Sequence, residues 1–304
     1  MEDQFYQKLS QILPKEQIKL KEPMVNHTSL HIGGEADYLV TPVTSKQVHD
    51  IVSLCKHENL PYYIMGNGSN LLVSDLGYRG LIMKLGEEFS SVCVKEEDQV
   101  TAQAGILLSK LANIVAAHSL TGFEFASGIP GTLGGAVTMN AGAYDGEMKQ
   151  CLTGARVMDQ EGNLLELKAE DLKLGYRTSI LQTNHYILLE ADMKFVHGDE
   201  KQIRDKMNDL NRQRRDKQPL DQYSAGSTFK RPQGYFAGKL ISDAGLRGYQ
   251  VGGAAVSEKH CGFLINKDNA TAKEFLTLVA DVIRIVDEKF GVKLEPEVKF
   301  LGEF

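Results

Sequence analysis

A chain of 304 residues, 42% hydrophobic and 24% charged, has room for two or three domains and for a sizeable core without staples. Its formal net charge of −6, with no dense lysine–arginine block, excludes a nucleic-acid binder that works through a basic face. A phosphorylated ligand would have to meet cations placed locally.

In chain order, Phe5, Leu9, Ile12 and Leu13 predict a short amphipathic helix ended at Pro14. A strand is expected at Asp37–Thr41. Thr44 and Gln47 have the spacing of a capping box, opening a helix with Val48, Ile51, Val52 and Cys55 on its apolar face. Tyr62–Met65 and Leu81–Leu85 read as strands, Ser91–Ala104 as a hairpin, and Leu107, Leu108, Leu111, Ile114 and Val115 as a helix. Two strands flank Glu161-Gly162 and another covers Tyr186–Phe195. Gln202–Lys217 is a charged helix, and Lys217–Asp221 a linker into a last domain. There, Thr271 and Glu274 form a second capping box before Phe275, Leu278, Val279, Val282, Ile283, Val286 and Phe290, closed by Gly291. The final strand puts Val292, Leu294, Val298 and Phe300 on one face and Lys293, Glu295, Glu297 and Lys299 on the other, with Pro296 as an edge or break. The class is α+β.

Met1-Glu2-Asp3-Gln4 is acidic where a secretory leader is basic, and no apolar run reaches the roughly 18 residues of a membrane span. The expectation is a cytoplasmic protein, with no membrane or nucleic-acid partner. Cys55, Cys93, Cys151 and Cys261 are far apart, with no C-x-x-C pair, and read as buried reduced thiols rather than a disulfide or metal site.

Two glycine loops carry the first functional signal. Gly66-Asn67-Gly68-Ser69-Asn70 follows a strand but lacks the third glycine and the helix of a Rossmann fingerprint. It is either a nest of amides aimed at a pyrophosphate or a plain turn. Gly128-Ile129-Pro130-Gly131-Thr132-Leu133-Gly134-Gly135-Ala136 runs on to Met139-Asn140-Ala141-Gly142-Ala143-Tyr144 without the Lys-Ser/Thr of a P-loop. It allows close backbone approach to the phosphates of a dinucleotide, or forms a cluster of turns.

With these loops the sequence closely resembles the UDP-N-acetylenolpyruvoylglucosamine reductase family. The matching stretches are Thr28–Asp37, Gly66–Asn70, Gly128–Tyr144, Tyr176-Arg177-Thr178-Ser179, Gly226-Ser227-Thr228-Phe229, Gly252–Val256 and Glu295-Pro296-Glu297-Val298, in family order from about residue 27 to 301. The resemblance implies an FAD-binding fold of the vanillyl-alcohol-oxidase type in two subdomains, 1–58 and 59–200, and a C-terminal α+β substrate-binding domain, 201–304. It implies bound FAD, held by Gly66–Asn70, Gly128–Thr132, Gly134, Gly135, Ala136, Asn140, Ala141 and Gly142. NADPH is the implied hydride donor, UDP-N-acetylglucosamine enolpyruvate the substrate, and a monomer the working form. The short span between Arg177 and Ser227 resembles the form of the family that lacks an extra substrate-covering loop and its tyrosine. Asp145 stands where many members have glycine, and Arg231 where many have asparagine, beside an implied diphosphate contact.

The chemistry fits the residue types. Charge pushed onto a substrate carboxylate calls for a planar, bidentate cation, and Arg177 is the implied match. Ser227 is the implied proton donor, a weak acid that needs a preorganised site. Glu297, rather than Glu295, is the implied carboxylate that assists. Lys217 is implied at the nucleotide phosphates, with Lys239, His260 and Lys259 as weaker candidates. A different flavin oxidoreductase, acting on an alcohol or hydroxy acid, and a non-catalytic nucleotide-sugar binder are the alternatives.

Overall fold

The computed structural model describes residues 4–95 and 98–304, so the tip of the expected 91–104 hairpin lies outside the described residues. The chain forms two compact units. One comprises the N-terminal residues to Leu20 with Tyr38–Asn67 and Gly80–Gln213, the other Lys21–Asp37, Gly68–Arg79 and Arg214–Phe304.

In the first unit the N-terminal helix covers Gln4–Leu9, with Leu13 buried in the turn that follows. The box at Thr44 is formed. The Thr44 hydroxyl accepts from the Gln47 amide at 3.1 Å, and Gln47 accepts from the Thr44 amide at 3.2 Å. The helix Ser45–His57 buries the expected four side chains. One sheet runs in the order Ile18–Pro23, Glu35–Val40, Tyr78–Lys84 and Tyr62–Met65. Tyr62–Met65 lies parallel to Tyr78–Lys84, with Tyr62 opposite Leu81. A second sheet is antiparallel, in the order Leu164–Lys168, Leu152–Met158, Ile187–Lys194, Gln99–Gln103 and Val92–Lys95. Its buried face joins the helix Leu108–Ala117 in one core built around Phe89, Leu108, Leu111, Phe123, Val137 and Val157. The charged helix Glu200–Lys217 is present, and Ile203 and Met207 on it reach this core.

The second unit has an antiparallel sheet in the order Tyr223–Ser224, Leu264–Asn266, Ala254–Val256 and Gln250–Val251. The helix Ala272–Phe290 buries Phe275, Leu278, Val279, Val282 and Val286 against it, begins at the expected Thr271 box and ends at Gly291 with φ 65°. Phe290, expected on that face, is exposed. The expected final strand is confined to Lys299–Leu301, parallel to Leu71–Val73. Pro296 breaks it: having no N–H to give a ladder, it leaves an isolated bridge to Phe229.

Candidate active site

The second glycine loop is not one extended loop. Leu133–Met139 is a two-turn helix whose opening residue, Thr132, is buried. Its amides are partly spent: Leu133 donates to the Ile106 carbonyl at 2.8 Å and Gly134 to the Ala104 carbonyl at 2.7 Å, so neither is left for a phosphate. Gly134 is a packing glycine, since a Cβ there would stand 3.1 Å from the Cβ of Ala104. Gly135 is different. It is exposed, and a Cβ there would have no neighbour closer than the Thr132 hydroxyl at 3.9 Å. The two loops meet here. A Cβ on Gly66 would fall 2.0 Å from the Thr132 hydroxyl, and the Asn67 amide donates to the Pro130 carbonyl at 2.7 Å. Bare backbone at Gly135 beside the joined loops is a cradle that a flavin dinucleotide fits, because phosphate oxygens can approach a chain that carries no Cβ.

Asn140 ends this helix in the left-handed region (φ 45°) and is 1% exposed. Its amide nitrogen donates to Glu147 Oε2 at 3.0 Å and to the Gly175 carbonyl at 3.1 Å, and its oxygen accepts from the Lys149 amide at 2.9 Å. Both N–H groups of this side chain therefore serve the protein. Gly142 is likewise fixed from within, because a Cβ would lie 2.6 Å from the Gly146 carbonyl.

Gly175 opens the turn that carries Arg177. Gly175 and Thr178 exchange backbone hydrogen bonds at 3.1 and 3.3 Å, and between them half-buried Arg177 has φ 56°. An arginine held in that region is uncommon and costs energy, a feature that gathers at functional sites. Its guanidinium carbon lies 5.3 Å from the centre of the exposed Tyr176 ring. Gln182, on the one-turn helix Ile180–Thr183, donates to the Arg177 carbonyl at 3.1 Å and to the Thr138 carbonyl at 2.8 Å. Nothing local in the sequence marks Gln182.

In the second unit Ser227 and Glu297 sit on neighbouring segments. The Glu297 amide donates to the Thr228 carbonyl and the Lys230 amide to the Glu295 carbonyl, both at 2.8 Å. Thr228 is fully buried and anchors the serine segment: its amide donates to the Gly262 carbonyl, and its hydroxyl accepts from Leu264 at 3.0 Å. Ser227 itself is exposed, its hydroxyl 3.3 Å from the Phe229 carbonyl, after Gly226 at φ 76°. The two glutamates, two positions apart, differ in burial and pairing. Glu295 is exposed and paired with Lys230, whereas Glu297 is half-buried. The Asn70 side chain donates to the Glu297 carbonyl at 3.1 Å, so Gly68–Asn70 abuts this segment.

The weaker candidates are scattered over the second unit. Lys217 is exposed at the end of its helix, and Lys239 is paired with Asp243 at 2.7 Å. His260 is half-buried; its Nδ1 accepts from the Gly262 amide at 3.1 Å, which leaves Nε2 the proton-bearing nitrogen of the neutral ring. Burial holds its pKa below the usual imidazole value. Arg231 stacks 4.0 Å over the Phe236 ring. The thiol expectation is corrected at one position: Cys55, Cys151 and Cys261 are buried, but Cys93 is exposed on an edge strand. Burial pushes Cys55 and Cys151 up to about 12. Among the described residues no three His, Cys, Asp or Glu side chains gather as a metal site, and no helix is long and apolar enough to cross a membrane.

Residues 36–168 match the FAD binding domain family, so the glycine cradle belongs to a flavin-binding protein of the expected α+β class. Residues 218–301 match UDP-N-acetylenolpyruvoylglucosamine reductase, C-terminal domain. Proteins named UDP-N-acetylenolpyruvoylglucosamine reductase are 52% identical in Lachnoclostridium phytofermentans, over 100% of this chain and 99% of that protein, and 52% identical in Clostridioides difficile, over 98% of each. The crystal structure of the reductase of that name from Thermus caldophilus superposes with a TM-score of 0.79 at 34% identity, covering 94% of this chain and 98% of that one. The chain belongs to the UDP-N-acetylenolpyruvoylglucosamine reductase family. Phl p 4.0202, described as a glucose dehydrogenase, shares the fold alone, at 14% identity and a TM-score of 0.52 over 65% of this chain.

Proposed function

We propose that the protein reduces UDP-N-acetylglucosamine enolpyruvate to UDP-N-acetylmuramate for bacterial peptidoglycan, using bound FAD and consuming NADPH. The reading rests on the family and on one observation, the hydrogen-bonded pairing of the Ser227 and Glu297 segments. Gly66–Asn70 and Gly128–Ala136 would hold FAD, with bare backbone open to it at Gly135. In sequence order we assign residues 1–58 and 59–200 to flavin binding and 201–304 to the sugar nucleotide.

Bound FAD would supply the hydride chemistry, with NADPH as the source of the hydride and the terminal vinyl carbon of the substrate as its destination. The chain's own residues handle the charge and the proton. Arg177 grips the substrate carboxylate, into which the vinyl electron pair moves, and a guanidinium fork suits that charge. The Ser227 hydroxyl gives its proton to the ether-bearing carbon, completing a saturated lactyl ether. Glu297 supports the carboxylate or returns the proton to Ser227. Lys217, Lys239 and His260 serve the nucleotide end. The working form is a cytoplasmic monomer.

Anaerobic stopped-flow absorbance tests this. NADPH should bleach the oxidised flavin band, and the enolpyruvyl sugar nucleotide should restore it. In Ser227→Ala, bleaching should persist while restoration slows by about three orders of magnitude. Restoration at the wild-type rate would remove Ser227 from its role. Bleaching with no restoration in the wild type would redirect the assignment to another acceptor, such as an alcohol or hydroxy acid.

A further inference from the structure

The backbone around Arg177 is held from outside its own turn. Reciprocal Gly175–Thr178 bonds, one of 3.1 Å and a longer one of 3.3 Å, enclose a residue at φ 56°. Left to itself such a turn would sample other conformations. Two carbonyls of the turn are instead captured by side-chain amides: that of Arg177 by Gln182 at 3.1 Å, and that of Gly175 by buried Asn140 at 3.1 Å. Gln182 also bonds the Thr138 carbonyl at 2.8 Å, where the Ser179 hydroxyl joins it at 2.7 Å. Both anchors therefore lead to the last turn of Leu133–Met139, the helix whose first turn carries the bare backbone of Gly135.

We infer that Gln182, with Asn140, is a positioning residue for Arg177, fixing the strained turn to the end of the helix that carries the flavin cradle so that the guanidinium is presented in one orientation. This rests on the assignment of Arg177 made above. The need for it is geometric. A bidentate clamp on a carboxylate works only within a few tenths of an ångström and about 10–20° of its productive pose. A long side chain on a turn free to change φ would not keep that pose. Gln182 holds the Arg177 carbonyl and is itself neutral, so it acts on orientation and leaves charge unaltered.

The test is Gln182→Met, which keeps length and removes the amide, made in the full flavin-loaded protein and combined with Arg177→Ala. Flavin content and bleaching by NADPH should be unchanged. The limiting rate at which the enolpyruvyl sugar nucleotide restores the flavin should fall about tenfold, the effect of losing one or two modest hydrogen bonds at a positioned group. In the Arg177→Ala background the same substitution should add nothing, because an effect transmitted through Arg177 vanishes with it. A wild-type rate for Gln182→Met, or an equal tenfold loss in both backgrounds, would overturn the inference. Wild-type restoration in Arg177→Ala alone would instead overturn the role of Arg177, and the positioning role with it. If Gln182→Met fails to fold, Gln182→Asn, which keeps the amide but draws it back by one methylene, takes its place with the same readings.

Discussion

Tyr144 and Asp145, with φ 50° and 65°, form the two-residue connection between Gly142–Ala143 and Gly146–Glu147. Positive φ at both central residues is what a tight type I′ hairpin demands, and glycine meets that demand without a steric penalty. Aspartate tolerates it better than most residues but still at a cost. Asp145→Gly should therefore stabilise the protein by about 1 kcal/mol, read as a rise of about 2 °C in Tm, with flavin content unchanged. A lower Tm would show that the turn is not strained at Asp145. The oddity of this position was visible in the sequence as a departure from the family pattern, but its cause was not, since φ is a property of the folded hairpin. The choice between Glu295 and Glu297 is of the opposite kind. The Pro-Glu-Val pattern pointed to Glu297, and the structure turns Glu295 outward to Lys230. Asn140 was named from the resemblance alone, and the partners that take its amide in the fold, Glu147 and Gly175, lie 7 and 35 residues away along the chain.

At the scale of elements, local signals were read correctly where the physics is local. Both capping boxes and the apolar faces behind them depend on residues three or four apart, and both formed as expected. The helix Leu133–Met139 escaped because Gly134 and Gly135 in its first turn weaken its intrinsic propensity, and bonds from its amides to the Ile106 and Ala104 carbonyls compensate. The helix Ala272–Phe290 shows the same division. Thr271 was legible as its cap, but Asp75, about two hundred residues earlier, takes the next two amides, from Ala272 at 2.7 Å and Lys273 at 3.0 Å. A carboxylate there satisfies two orphan donors and meets the positive end of the helix dipole. Asp75→Ala should cost about 1–2 kcal/mol in denaturant unfolding, and Asp75→Asn less, because the amide oxygen still accepts one bond. Equal stability of the alanine variant would show that water replaces the carboxylate at no loss.

Over the whole molecule, the segments 21–37 and 68–79 pack with residues 214–304, an interleaving that no linear reading of domain boundaries reveals. Titration is likewise a property of the whole chain, and on the acid side the shifted carboxyls and His260 act in one direction. Hydrogen bonds from Lys46 to Asp50, Lys8 to Glu58, Asn163 to Asp159, the Thr271 amide to Glu274 and Arg284 to Asp281 hold each carboxyl below its ordinary range. Burial pushes Glu124 up, but the Thr121 hydroxyl at 2.6 Å, the Gly122 amide at 3.1 Å and Lys206 outweigh it, and the net shift is downward. A carboxyl with a lower pKa folded than unfolded binds its proton more tightly in the unfolded chain. Its stabilisation is present above the unfolded value near 4.5 for glutamate and is lost as pH falls through the folded value. His260, held down by burial and then by Arg247, acts earlier: the unfolded chain takes up that proton first, so stability begins to fall as pH drops through about 6.5. Tm should therefore be flat from pH 8 to 7, decline gently below 6.5, and fall steeply below 4.5. His260→Asn keeps an acceptor for the Gly262 amide and cannot titrate, so it should remove the gentle decline and leave the steep one. Glu124→Gln should lower Tm at pH 7 and make the acid fall shallower. If His260→Asn follows the wild-type curve between pH 7 and 5, the imidazole is as easily protonated folded as unfolded, and its burial carries no cost.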